Sequence, residues 1–209
     1  MDFADSLILS IDNALRTLTG ESRGTGRPNP GTSHPDRLLR PWERQKSGRM
    51  LRVDHAGEVM AQALYTGQAA GSHDPELQAT LRQARSEEED HLRWCAERLQ
   101  ELGSRPSLLG PLWYASAWGM GFAAARMGKE ANLGLVVAVE NLVEDHLAGH
   151  LHDLPEKDQR SRAILEEMQK DEIGHAEKAE KLGARELAAP LRLAMGALSK
   201  IMTRSALWL

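Results

Sequence analysis

Apolar residues recur along this chain at steps of three and four, and no stretch shows the two-residue alternation of a strand. Phe3, Leu7, Ile11, Ala14, Leu15 and Leu18 mark a short amphipathic helix at the start. The period stops over residues 20–36, GESRGTGRPNPGTSHPD, whose Gly, Pro, Ser and Thr content reads as a flexible linker. Residues 1–40 are thus expected to be an N-terminal helix and linker, and residues 41–209 the main domain. There the pattern predicts helices over about 47–70, 75–102, 112–126, 130–152 and 156–182, then an amphipathic segment over 185–209. Asp74 is a natural N-cap, with Pro75 at the first helical position. The fold class is all-α.

Two of the stripes contain a polar insertion. Leu77, Leu81, Ala84, Glu88, His91, Cys95, Leu99 and Leu102 share one helix face, and so do Leu165, Met168, Glu172, His175, Ala179 and Leu182. Each stripe thus aims a Glu-x-x-His pair at its own core. The helix before each carries a lone carboxylate on a mostly apolar stripe, Glu58 beside Leu51, Ala61 and Tyr65, and Glu140 beside Leu133, Val137 and Leu147. Glu58 precedes Glu88 by 30 residues and Glu140 precedes Glu172 by 32, so the body reads as two similar helical hairpins. Four carboxylates in one core must protonate or find cations. Two metal ions supply that charge, and a set of four carboxylates and two imidazoles without thiolate favours iron or manganese over structural zinc. A Glu from each of two helices and Glu-x-x-His from each of two others is the ligand pattern of ferritin-like di-iron bundles. The expected metal ligands are Glu58, Glu88, His91, Glu140, Glu172 and His175, with Glu88 and Glu172 bridging. Glu144, one turn from Glu140, stands as its alternative. His146 and Asp54 are candidates for hydrogen bonds behind the ligands, Asp54 to a ligand imidazole. Cys95 and Tyr65 read as core residues.

Charge and composition narrow the function. With 26 Lys and Arg against 30 Asp and Glu, the net charge is -4, so no nucleic-acid partner is expected and a di-iron hydroxylase acting on tRNA is disfavoured. The single cysteine excludes an intramolecular disulfide and any CxxC metal site. Residues 106–125 form an uncharged run of 20, but two prolines and several glycines make it a buried or interfacial helix rather than a span. The last segment carries Arg185, Arg192, Lys200 and Arg204 against one acid, Glu186, and ends near Trp208, a composition suited to an anionic lipid surface.

Four blocks resemble the demethoxyubiquinone hydroxylase family: RVDHAGEVMAQALYTGQ, EEEDHL, GKEANLGLVVAVENLVEDHL and KDEIGHAEKA, within about residues 50–209. The resemblance implies a ferritin-like four-helix bundle with extra hydrophobic and amphipathic helices lying on a membrane. It implies two iron ions per chain and O2-dependent hydroxylation of the ring of a polyprenyl demethoxyubiquinol in ubiquinone biosynthesis. No GxGxxG motif is present, so reductant comes from outside, NADH being one candidate. The expected location is peripheral, on the cytoplasmic side of the cell membrane; a homo-oligomer and an accessory lipid-binding protein stay open as partners. Eukaryotic members often place a tyrosine after the histidine matching His146, where this chain has Leu147. The alternative is ferritin- or rubrerythrin-like iron oxidation or storage without an organic substrate. The apolar surplus outside the ligand helices weighs against it.

Overall fold

A computed structural model describes residues 3–21 and 24–209, with side chains from residue 8 onward. All its regular elements are helical. Helix α1 covers Phe3–Thr19; Phe3 and Leu7 of its predicted stripe lie outside the residues whose side chains are described. A 3-10 turn at Pro30–Ser33 interrupts the linker. The body follows as α2 (Pro41–Gly71), α3 (Pro75–Glu101), α4 (Gly110–Arg126), α5 (Lys129–Asp153), α6 (Gln159–Lys181) and α7 (Ala189–Ala206).

Capping side chains set the boundaries. Helix α2 begins at Pro41 rather than near residue 47, because the Glu43 carboxylate accepts a 2.7 Å bond from the Arg40 amide and pairs with the Arg40 guanidinium. Asp74 caps α3 as expected, accepting from the amides of Glu76 (3.0 Å) and Leu77 (3.2 Å). Helix α6 starts at Gln159, later than its pattern predicts. Asp158 takes the Ser161 amide at 3.1 Å and is itself held by the buried Arg98 guanidinium at 2.8 Å.

Helices α2, α3, α5 and α6 form the ferritin-like bundle, and its apolar core is split in two. At one end Met50, Leu51, Trp94, Cys95, Leu99, Leu147, Ile164, Leu165 and Met168 pack together. At the other, Tyr65, Leu77, Leu81, Leu133, Val136 and Ala179 do so. Each cluster draws on all four helices, so each is a plug across the bundle, and the polar insertions of the stripes fall between the plugs.

Outside the bundle, α4 and α7 cover the far side of α2. Met60, Val53, Ala56, Trp113, Met202 and Ala206 meet in one cluster there, and Val59, Ala63, Tyr114 and Ala117 in another. Small residues bring α2 and α4 into backbone contact: a Cβ on Gly67 would stand 2.1 Å from the Trp118 carbonyl oxygen, and one on Gly121 2.3 Å from that of Leu64. Being covered on both sides, α2 lacks the clear polar face of α3 and α6. Helices α1, α4 and α7 and the segment after α7 leave Ile8, Leu15, Leu112, Leu193, Ile201 and Trp208 exposed. No helix among the described residues is long and apolar enough to cross a membrane.

Candidate metal centre

Glu58 on α2, Glu88 and His91 on α3, Glu140 on α5, and Glu172 and His175 on α6 come together between the two apolar plugs, and all six are buried. Their donor atoms form two groups, Glu58–Glu88–His91–Glu172 and Glu88–Glu140–Glu172–His175, the atoms within each lying inside 4.8 Å of one another. Glu88 and Glu172 belong to both groups, Glu58 and Glu140 to one each. His91 Nδ1 lies 3.1 Å from Glu88, 3.4 Å from Glu172 and 3.7 Å from Glu58. His175 Nδ1 repeats the arrangement at 3.0 Å from Glu88, 3.6 Å from Glu172 and 3.9 Å from Glu140.

This much buried negative charge demands compensation. Burial and the neighbouring Glu88 push Glu58 well above the usual carboxylate range; burial and Glu172 do the same to Glu140. Glu88 moves the other way: burial opposes its charge, but His91 and His175 overcome that and hold it low. Burial also opposes charging the two imidazoles, yet the carboxylates around them raise both above the ordinary histidine range. Protons thus supply the positive charge when the donors hold no metal. Glu58 Oε2, Glu88 Oε1, both Glu172 oxygens and His175 Nδ1 remain buried without a hydrogen-bond partner, all within the two groups. These orphaned atoms belong to three of the four carboxylates and one of the two imidazoles, and a set of such donors fits hard or borderline metal ions.

The outward nitrogens are held as well. His91 Nε2 lies 2.8 Å from Asp171, and His175 Nε2 lies 2.7 Å from Glu87. Each acid directly precedes the Glu-x-x-His of the opposite hairpin. The reading of the sequence missed both, although an acid before each motif was the available signal. Tyr65 is a core residue, as expected, but its hydroxyl also donates to Glu140. Burial and the Glu140 charge raise the phenol well above its ordinary range, so it stays a donor.

Three further expectations sort themselves by geometry. Glu144 lies outside both donor groups and accepts from Gln169 at 2.8 Å, so Glu140 is the inward-facing carboxylate of α5. Asp54 reaches no ligand imidazole: across the α2–α5 contact it meets His150 Nδ1 at 2.8 Å and His146 Nε2 at 3.5 Å. The one-turn offset from Glu58 that suggested otherwise turns it toward α5 instead of into the cluster. Cys95 is buried with its sulfur 3.8 Å from that of Met168.

An apolar cavity open to solvent lies between α2, α4, α5 and α7. Val53, Ala61, Leu64, Val143 and Met195 are among its walls, with Glu58 at the metal-centre side and Asp54 and His146 as further polar groups. Its mouth continues past Ser199 and Thr203 to Lys200 and Arg204. The cavity touches Glu58 but not Glu140.

The chain is similar to known proteins across nearly its whole length. A family model described as Ubiquinone biosynthesis protein COQ7 matches residues 45–206. A 3-demethoxyubiquinol 3-hydroxylase of Paracidovorax citrulli (strain AAC00-1) is 50% identical over 202 residues, covering 97% of this chain and 98% of the relative. The protein of that name from Bordetella pertussis is 50% identical over 207 residues, 98% of this chain and 92% of its own. That from Ralstonia pickettii (strain 12J) is 47% identical over 213 residues, 97% and 98% respectively. With more than half its length matched by the family model and near-complete relatives at this identity, the chain belongs to the COQ7 family of ubiquinone biosynthesis proteins.

Proposed function

We propose that this chain is a 3-demethoxyubiquinol 3-hydroxylase, an O2-dependent monooxygenase with two irons held by Glu58, Glu88, His91, Glu140, Glu172 and His175. One observation carries the reading: an apolar cavity open to the surface ends on a carboxylate of a paired carboxylate–histidine cluster. An iron store has no use for such a cavity. The names of the relatives supply the substrate.

Bound among these donors, iron would supply reductive activation of O2, one oxygen going to the ring carbon and the other to water, with electrons from an external donor such as NADH. The chain's own residues do the rest. Ala61, Leu64 and Val143 hold the ring beside Glu58 and exclude water. His146 lines the cavity as a polar group beside the ring, its Nε2 facing the buried Asp54 at 3.5 Å. Asp171 and Glu87 fix the ligand imidazoles from behind. The polyprenyl tail leaves by the mouth between α5 and α7. Exposed Leu112, Leu193, Ile201 and Trp208, with Lys200 and Arg204, support a peripheral seat on an anionic membrane surface, and the side proposed is the cytoplasmic one.

A single turnover tests this. The chain is loaded anaerobically with Fe(II), given a short-chain demethoxyubiquinol and then isotopically heavy O2. The expected product carries one heavy oxygen and is absent with Glu88→Ala. Iron that oxidises while the quinone keeps its mass would reject the hydroxylase and favour iron handling.

A further inference from the structure

The two halves of the cluster are held from behind by matching contacts, and then the match ends. His175 rests on Glu87, whose next partner is the neutral amide of Gln83 at 2.8 Å. His91 rests on Asp171, and Asp171 is gripped by the Arg27 guanidinium at 2.6 Å. Arg27 belongs to the linker before α2, N-terminal to the span matched by the family model, and lies 144 residues from Asp171 in sequence.

That stretch of linker is fastened in place. The Gly24 amide donates to Glu89 at 2.9 Å, and the Thr25 and Gly26 amides donate to Asp90 at 3.1 and 3.3 Å. Asp90 is fully buried and also takes the Thr25 hydroxyl. Gly24 has φ 59, and a Cβ there would stand 2.3 Å from Asp90 Oδ1, so the approach requires glycine on both counts. Arg93 donates to the Arg27 carbonyl at 2.6 Å. The Arg27 guanidinium lies 5.1 Å over the Trp94 ring, which in turn sits 5.4 Å from the His91 ring.

We propose that Arg27 is a positioning residue for the His91 half of the metal centre, acting through Asp171, and that it makes the two metal positions unequal. The inference rests on the metal-binding reading above. A carboxylate on the outer nitrogen fixes a ligand histidine's tautomer and orientation, and losing such a partner typically costs about 10–100-fold in metal affinity. A guanidinium fixes that carboxylate in turn through directed, charge-assisted bonds. Among the described residues, only the His91 half has the second clamp.

The test is an anaerobic Co(II) titration of the full chain followed by visible absorption, beside its thermal midpoint. Wild type is expected to bind two Co(II). Arg27→Gln should weaken one binding step by about tenfold, leave the other step and the midpoint unchanged, and have no added effect in an Asp171→Asn background. Arg27→Lys should recover part of the loss, while Glu87→Gln should weaken the other step. Two unchanged steps in Arg27→Gln, with wild type binding two ions, would overturn this proposal alone. Two steps weakened together with a lowered midpoint would overturn it too, since the linker would then only brace the fold. If wild type binds no Co(II), or Glu88→Ala binds as much as wild type, the metal-binding reading falls and takes this proposal with it.

Discussion

The hairpins α2–α3 and α5–α6 carry the same donors in the same order, yet they live in different surroundings. In the first, Glu58 forms part of the wall of an apolar cavity, and His91 is backed by Asp171 and the linker arginine. In the second, Glu140 is closed off by the Tyr65 hydroxyl, and His175 is backed by the partly exposed Glu87. The lesson is that a repeated motif fixes the donor set, while the layers packed around it assign each half its task. On the proposed function, substrate would meet the Glu58 half.

The comparison breaks most completely at a shared carboxylate. Glu88→Ala removes a donor from both groups, so metal analysis after desalting should find neither ion and hydroxylation should fall to background. Glu140→Ala should lose one ion and keep the other. Retention of both ions in Glu88→Ala would deny its shared role.

A difference in acid stability comes next. Three residues before Glu58 stands the buried His55; three before Glu140 stands Val137. Burial lowers His55 from 6.5 to about 4, so between those values the unfolded chain binds a proton that the folded chain refuses. This contribution is fully present above about pH 6.5 and is lost as pH falls toward 4, by about 3 kcal/mol at 1.36 per pK unit. His55→Val should flatten that limb of the denaturation profile. The metal-free cluster runs opposite in sign: His91, His175, Glu58 and Glu140 keep protons in the folded state, so their contribution is lost as pH rises. Metal must displace those protons, and calorimetry in buffers of different ionisation enthalpy should show their release and an affinity that climbs with pH.

Filling the cavity sharpens the contrast without touching a ligand. Ala61→Phe should reduce kcat/KM by about tenfold, about 1.4 kcal/mol, with metal content unchanged. Equal turnover of the short-chain quinol would place the ring elsewhere. The smallest effect is on the closed side: Tyr65→Phe strips Glu140 of its donor and should lower stability by about 1 kcal/mol in denaturant titration. Metal stoichiometry should stay at two.

The donor set was legible in the sequence because a helix repeats every 3.6 residues, and a Glu or His on an apolar stripe has nowhere to point but inward. Glu58, Glu88, His91, Glu140, Glu172 and His175 all gave that signal. Asp171, Glu87 and Asp90 did not, since an acid beside other acids on a helix looks like a solvated face. Arg27 was less visible still: its partner is 144 residues away, and a Gly/Pro-rich segment carries no period that would reveal docking. Asp54 misled because helical offset gives direction only to within a turn, and the packing of α5 decided what it met. The early start of α2 was hidden for a similar reason. Its first turn is fixed by the Arg40–Glu43 contact rather than by apolar residues.

The enclosure of α2 between bundle and outer layer has a consequence for how the molecule opens. From Ser47 onward no residue of α2 is exposed, so hydrogen exchange of the amides there should require global unfolding. Helix α7, with only Met195, Met202 and Ala206 buried, is a far looser unit. An opening confined to that outer layer would widen the way to Glu58 and leave all six donors on helices outside it. On the proposed function, a long-tailed substrate would then enter sideways, by partial melting of the wall, while the donor set stays assembled.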